Sequence, residues 1–292
     1  MKNLSLCVYA SFFLLFTLGF ASISSAEDKD TISWYHPDFP PVYILEGPLA
    51  GTGVGDSILA YFVERMPGYH HETRVANFRR IITTIAAGEE ACGITLLKNA
   101  ERDKVVLFSD AFMISPLNEI ITLKKNLSTF APLMDAEGGV SLKSVMEKSE
   151  LMLGYSNGRS YSRKIDQIIK SSENEKNSYA ASSLDIFVSL MKMLERERIE
   201  YTIGYGYEAM YVARQLGFEA DVVAIPLHEQ NSYIPVYAGC PKTDWGQKVI
   251  AQINTIVKTA RLDPQVYGVY KPWLDPGSWE RYLKSVFQIL GG

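Results

Sequence analysis

The sequence predicts an α/β protein of two lobes of similar size. Strand-like and helix-like segments alternate along the chain in two successive series, and no disordered linker separates the series. Size agrees: the 266 residues left after an N-terminal leader are enough for one large or two medium domains, and nothing repeats.

The leader is the segment from Met1 to Ala26. It has Lys2, an apolar run from Leu4 to Ile23 and small residues at Ser24, Ser25 and Ala26, the pattern of a secretory signal cut after Ala26. Gly19, the serines and the acidic Glu27 and Asp28 favour cleavage over anchoring. Cys7 lies too early in the run to be a lipid-modified first residue. The expectation is an exported chain, placed in the periplasm of a Gram-negative bacterium and not membrane-spanning after cleavage. Losing Lys2 takes the formal charge from −4 to −5, which excludes a basic nucleic-acid surface. Cys92 and Cys240 remain, as a disulfide or as two buried free thiols.

Taken in order, TISWYH is a strand, and the prolines of DFPP break it. VYIL is a short strand and EGPLAGTGVGD a glycine-rich turn. Ile58, Leu59, Phe62, Val63 and Met66 have helical spacing, which Pro67 and Gly68 end. HHETRVA is a strand, Phe78 to Ala86 an amphipathic helix stopping at Gly88, and ACGITLL a strand. VVLFS and NEIITLKK are strands. Beyond a polar stretch come LMLGYS as a strand, SYSRKIDQIIKSS as a helix, and SSLDIFVSLMKMLERER as a helix opened by a Ser182 and Asp185 capping box. IEYTIGY is a strand, EAMYVARQLG a helix, ADVVAIPL and YIPVYAGCPK strands. Helices from Asp244 to Thr259 and after DPGS close the chain.

Several motifs suggest chemistry. GYSNG, residues 154 to 158, fits a G-x-S-x-G nucleophile elbow, but His228 is the only later histidine and an oxyanion-hole glycine cluster is missing. The alternative is a strand-to-helix turn whose free N–H groups bind an anion. GTGVGD follows a proline-broken segment rather than a buried strand, so no dinucleotide cofactor is expected. Adjacent His70 and His71 point to opposite faces of a strand and are expected to be solvated; His36 and His228 stand alone. No metal is expected.

DFPPVYI, G-x-G-D before a helix, F-x-x-I-I-x-x-I-x-x-G, T-x-x-x-x-x-E-R and FSDAF, in that order, resemble the bacterial extracellular solute-binding proteins of family 3, which include polar amino acid binders of ABC transporters. The Gly158, Arg159, Ser160 turn, RIEYTIGY and CPKTDWGQKVIAQINTIV extend the resemblance over nearly the whole mature chain. It implies a two-lobed, type II periplasmic-binding (flytrap) fold, each lobe a mixed sheet flanked by helices, with FSDAFMI and SYIPVYA as two crossing hinge strands. Lobe 1 would be residues 27–113 plus 235–292, and lobe 2 residues 114–234.

By the same resemblance, Arg102 forks onto a ligand carboxylate and Thr95 adds a hydroxyl. Phe39 and Phe78 sandwich the ligand's side chain, and Gly158, Arg159 and Ser160 offer the second lobe's N–H groups. Tyr205 stands where relatives place the aspartate that pairs with the ligand's ammonium, and the ACGITLL strand lacks the usual preceding aspartate. Glu208 could replace it only if the helix start turned inward. The resemblance therefore implies a non-catalytic exported binder of a small carboxylate-bearing or amino-acid-like solute, serving an ABC permease or a sensor. The alternatives are a dehydratase-like enzyme on the same fold and, more remotely, a serine hydrolase at Ser156. A solvated Arg102 paired with Glu101, Asp103 or Asp110 is the plain structural alternative.

Overall fold

A computed structural model describes residues 29–148, 150–156, 159, 161–171, 177–181, 186–230 and 233–291. The leader and the Ser182 and Asp185 capping box lie outside these residues.

In chain order, the first series is β1 (Thr31–His36), α1 (Val54–Glu64), β2 (His70–Val75), α2 (Phe78–Ala86), β3 (Ala91–Leu97), α3 (Ala100–Val105), β4 (Val106–Phe108) and β5 (Met113–Ser115). The second is β6 (Asn118–Leu123), α4 (Leu127–Phe130), α5 (Leu142–Met146), β7 (Leu153–Ser156), α6 (Arg163–Ser171), β8 (Ser178–Ala181), α7 (Ile186–Glu195), β9 (Tyr201–Tyr205), α8 (Gly206–Leu216) and β10 (Val222–Ile225). β11 (Ile234–Pro241), α9 (Asp244–Ala260), α10 (Pro264–Tyr267) and α11 (Pro276–Leu290) complete the chain.

The strands form two mixed sheets. One has the order β2-β1-β3-β11-β4, with β5 also paired to β11, and the other is β10-β6-β9-β7-β8. β1 runs parallel to β2 and β3, whereas β11 is antiparallel to β3, β4 and β5. In β1 the alternate residues Ile32, Trp34 and His36 are buried, as a strand with one face on the core requires.

Two connections link the sheets, and they pair with each other: Met113, Ile114 and Ser115 lie opposite Val236, Pro235 and Ile234. The FSDAFMI and IPVYA segments are thus adjacent antiparallel crossings. Cys92 of β3 and Cys240 of β11 are joined by a disulfide, closing a sequence separation of 148 residues across the first sheet.

Three departures from the sequence reading have physical causes. VYIL is no strand, because Val42 and Tyr43 donate their N–H groups back to the Phe39 carbonyl and fold the segment into a turn. The charged stretch before VVLFS is the helix α3, whose start Asn99 caps by accepting from the Arg102 N–H. His71 is half-buried rather than solvated, since its Nδ1 accepts from the Trp34 indole N–H at 3.0 Å.

The C-terminal elements also touch the second series of strands and helices. Arg281 of α11 donates to Glu119 of β6 at 2.6 Å, and Arg214 of α8 donates to the Pro272 carbonyl at 2.8 Å. A carboxylate as buried as Glu119 needs such a cation, and α11 supplies it.

Candidate functional site

The site is built around the first turn of α1 and the end of β3. Gly53 and Gly55 lie there because neighbouring atoms leave no room for a side chain. A Cβ on Gly53 would sit 2.5 Å from the Val42 carbonyl oxygen, and one on Gly55 2.4 Å from the Tyr43 ring. Asp56 accepts from the N–H groups of Gly53 and Ile44, fixing the turn against the helix. The G-x-G-D motif therefore clamps Tyr43 rather than acting as a flexible turn. Tyr43, fully buried and stacked on His36, shares a 2.9 Å hydrogen bond with the Thr95 hydroxyl. Burial pushes the Tyr43 phenol well above its ordinary pKa, against the smaller lowering effect of that hydrogen bond.

Arg102 follows from α3. Its side chain turns back to donate to the Leu97 carbonyl at 2.8 Å. The nearby acids are engaged elsewhere: Glu101 with Lys104 at 2.8 Å and Asp103 with Lys98 at 2.9 Å. Among the described residues no carboxylate pairs with Arg102, and Asp110 forms no ion pair. The solvated-pair alternative is thus not what the structure holds. Desolvation by burial lowers the Arg102 pKa, the mark of a charge without a counter-ion in apolar surroundings.

Arg102 opens into a cavity of about 240 Å³ between the two sheets. Phe39, Phe78, Thr95, Arg102 and Tyr205 all line it, brought together from four elements and a turn. Phe39 and Phe78 meet edge to face, with centroids 6.1 Å apart and planes at 71°, rather than facing each other as two walls of a slot. The crossings supply Met113, Ser115 and Val236, and Tyr207 and Tyr270 complete the far wall. No sequence motif singles out Tyr43, Tyr207, Tyr270 or the crossing residues as lining residues. The assignment of FSDAFMI and SYIPVYA to the hinge was the available signal, because a crossing strand must pass the cleft floor.

On the second lobe, Gly158 and Ser160 lie outside the described residues. Arg159 is described but does not line the cavity. Its guanidinium forks onto Glu208, with Nη1 to Oε1 at 3.1 Å and Nη2 to Oε2 at 2.6 Å. It also lies 5.3 to 5.5 Å from the ring centroids of Phe187, Tyr161 and Tyr205. Burial acts to lower the Arg159 pKa, but the hydrogen bonds and charge of Glu208 outweigh it and the net direction is up. Tyr205 stacks on Tyr207 with centroids 5.0 Å apart.

The hydrolase geometry is not formed. Ser156 is buried, and its N–H donates to the Tyr161 hydroxyl. His228 pairs instead with Asp135 at 2.7 Å. Among the described residues no group of three His, Cys, Asp or Glu is arranged to hold a metal.

This fold is that of the type II periplasmic binding proteins. No protein-family model matches the chain, and no curated protein matches it. Solved structures do. One is an ancestral cationic amino acid solute-binding protein, 17% identical over 84% of this chain and 96% of its own, with a TM-score of 0.61. Another is a probable amino-acid ABC transporter extracellular-binding protein from Bacillus subtilis, 16% identical over 84% and 99%, TM-score 0.60. A third is a histidine kinase sensor domain with similarity to periplasmic binding proteins, 12% identical over 85% and 99%, TM-score 0.53.

Proposed function

We propose that this chain is an exported solute-binding protein that captures a small monocarboxylate with an apolar body between its lobes. The lobes would be residues 27–113 plus 235–292, and 114–234, closing about the paired crossings. One observation carries the reading: Arg102, without a carboxylate partner among the described residues, projects into a cavity whose other described lining residues are aromatic, aliphatic or, at Thr95 and Ser115, hydroxyl-bearing. A guanidinium in such a place is suited to a carboxylate, which it can grip with two parallel hydrogen bonds. Among the described residues no Asp or Glu lines that cavity, so a ligand ammonium finds no counter-charge among them.

The neighbours named for amino acid transport support delivery to an ABC permease, and the kinase sensor domain supports signalling on the same fold. The dehydratase-like alternative draws less support, because among the described residues that line the cavity there is no carboxylate, histidine or cysteine to move a proton. A thermal-shift screen of small carboxylic acids beside their primary amides tests the proposal. Acids should raise the melting temperature without being consumed and amides should not. Equal shifts by both members of each pair, or turnover of the acid, would overturn it.

A further inference from the structure

We propose that Glu208 sets the charge of the ligand: by holding Arg159 in an internal ion pair, it restricts the cleft to solutes with a single carboxylate. This rests on the function proposed above and names the residue that narrows it. Two arginines bear on the cavity: Arg102 lines it, and Arg159 lies behind the lining residue Tyr205. Arg102 is open to a ligand, whereas Arg159 already holds a carboxylate in the two-pronged geometry that a ligand carboxylate would adopt.

The position of Glu208 suits this role. It lies in the first turn of α8, where the helix dipole favours an acid, and it is itself buried. Arg159 keeps 21% of its side chain exposed and Glu208 keeps 12%, so the pair is not sealed in the core. Tyr205 joins the two arrangements, since its ring lies 5.5 Å from the Arg159 guanidinium and also lines the ligand cavity. A ligand carboxylate beside Tyr205 therefore meets a pair that is already neutral. Removing the Glu208 charge while keeping its shape leaves a caged guanidinium without a counter-ion, a state that a second ligand carboxylate relieves.

The test compares wild type, Glu208→Gln and the double variant Arg159→Gln/Glu208→Gln by calorimetric titration. The probes are butanoate against succinate, and benzoate against terephthalate. E208Q should move the dicarboxylate-to-monocarboxylate affinity ratio toward the dicarboxylate by about tenfold, the scale of a charge-assisted hydrogen bond. The double variant should return the ratio to that of wild type. An unchanged ratio in E208Q, or a shift that persists in the double variant, overturns the inference.

Should E208Q not fold, Glu208→Asp withdraws the carboxylate from the fork; it should move the ratio the same way by a smaller factor, and no movement again overturns the inference. The two proposals fail separately. A wild type that binds no monocarboxylate overturns the proposed function, whereas wild-type binding with an unmoved E208Q ratio overturns the role of Glu208 alone.

Discussion

Truncating Arg102 to alanine separates a ligand anchor from a surface charge. The guanidinium spends one Nη1 donor on the Leu97 carbonyl and pairs with no described carboxylate, which leaves donors for a ligand. Two charge-assisted hydrogen bonds to a carboxylate contribute about 1.5–3 kcal/mol each, so the alanine variant should lose about 3–5 kcal/mol of binding. That is a loss of about a hundredfold to a few thousandfold in Kd. Arg102→Lys keeps the charge without the fork and should fall between wild type and alanine.

The fold should be nearly indifferent to either change. The lost bond to Leu97 costs about 1 kcal/mol, and removing a charge that burial disfavours offsets part of it. Calorimetric titration of an apolar monocarboxylate, with the melting temperature measured on the same samples, reads both quantities. An R102A affinity within about threefold of wild type, with the fold intact, would refute the reasoning, because a solvated arginine contributes only about 0–1 kcal/mol.

Other parts of the structure make their own predictions. Replacing Cys92 and Cys240 together by serine releases a 148-residue separation and should lower stability by up to about 5 kcal/mol in denaturant titration; an unchanged midpoint contradicts the bridge. Gly55→Ala places a Cβ 2.4 Å from the Tyr43 ring, so it should cost about 1–3 kcal/mol and weaken ligand binding as Tyr43 shifts against Thr95. A G55A variant with wild-type stability and affinity counts against the clamp.

Arg281→Met strands Glu119, and Arg281 is 32% exposed, so the cost at neutral pH should be about 2–4 kcal/mol, below the range of a fully buried pair. Burial raises the Glu119 pKa despite the opposing Arg281. The native state thus binds the proton more tightly than the unfolded chain, and Glu119's contribution is fully present below the unfolded carboxyl pKa and lost as pH rises through the raised native value. Stability of R281M should therefore recover on acidification through that window, and a pH-independent deficit would contradict the assignment.

Much of this architecture can be read from the sequence. The period-2 burial of TISWYH, the helical spacing from Ile58 to Met66 and the Gly88 stop each express a local rule, and each appears where that rule puts it. α3 was harder to see because six charged-rich residues carry no apolar stripe, although Asn99 before Ala100 and Glu101 is a cap signal. VYIL has strand composition but lacks a neighbour to pair with, and pairing is non-local information. The resemblance pointed to Arg102, Thr95, Phe39 and Phe78, which the cavity collects. It could not foresee that Glu208 would reach Arg159, because the distance across the β7–α6 and β9–α8 ends depends on the register of a folded sheet. Tyr270 carries no local signal for the same reason: it reaches the cavity from the segment between α10 and α11.

A cleft with an unpaired guanidinium and, among the described residues, no lining carboxylate should accept an anion and disfavour an ammonium. Calorimetric titration of the wild-type protein with an apolar monocarboxylate and with its α-amino counterpart tests it most directly. The simple acid should bind at least about tenfold more tightly, since the amino acid must bury an unpaired ammonium. Tighter binding of the amino acid would contradict it.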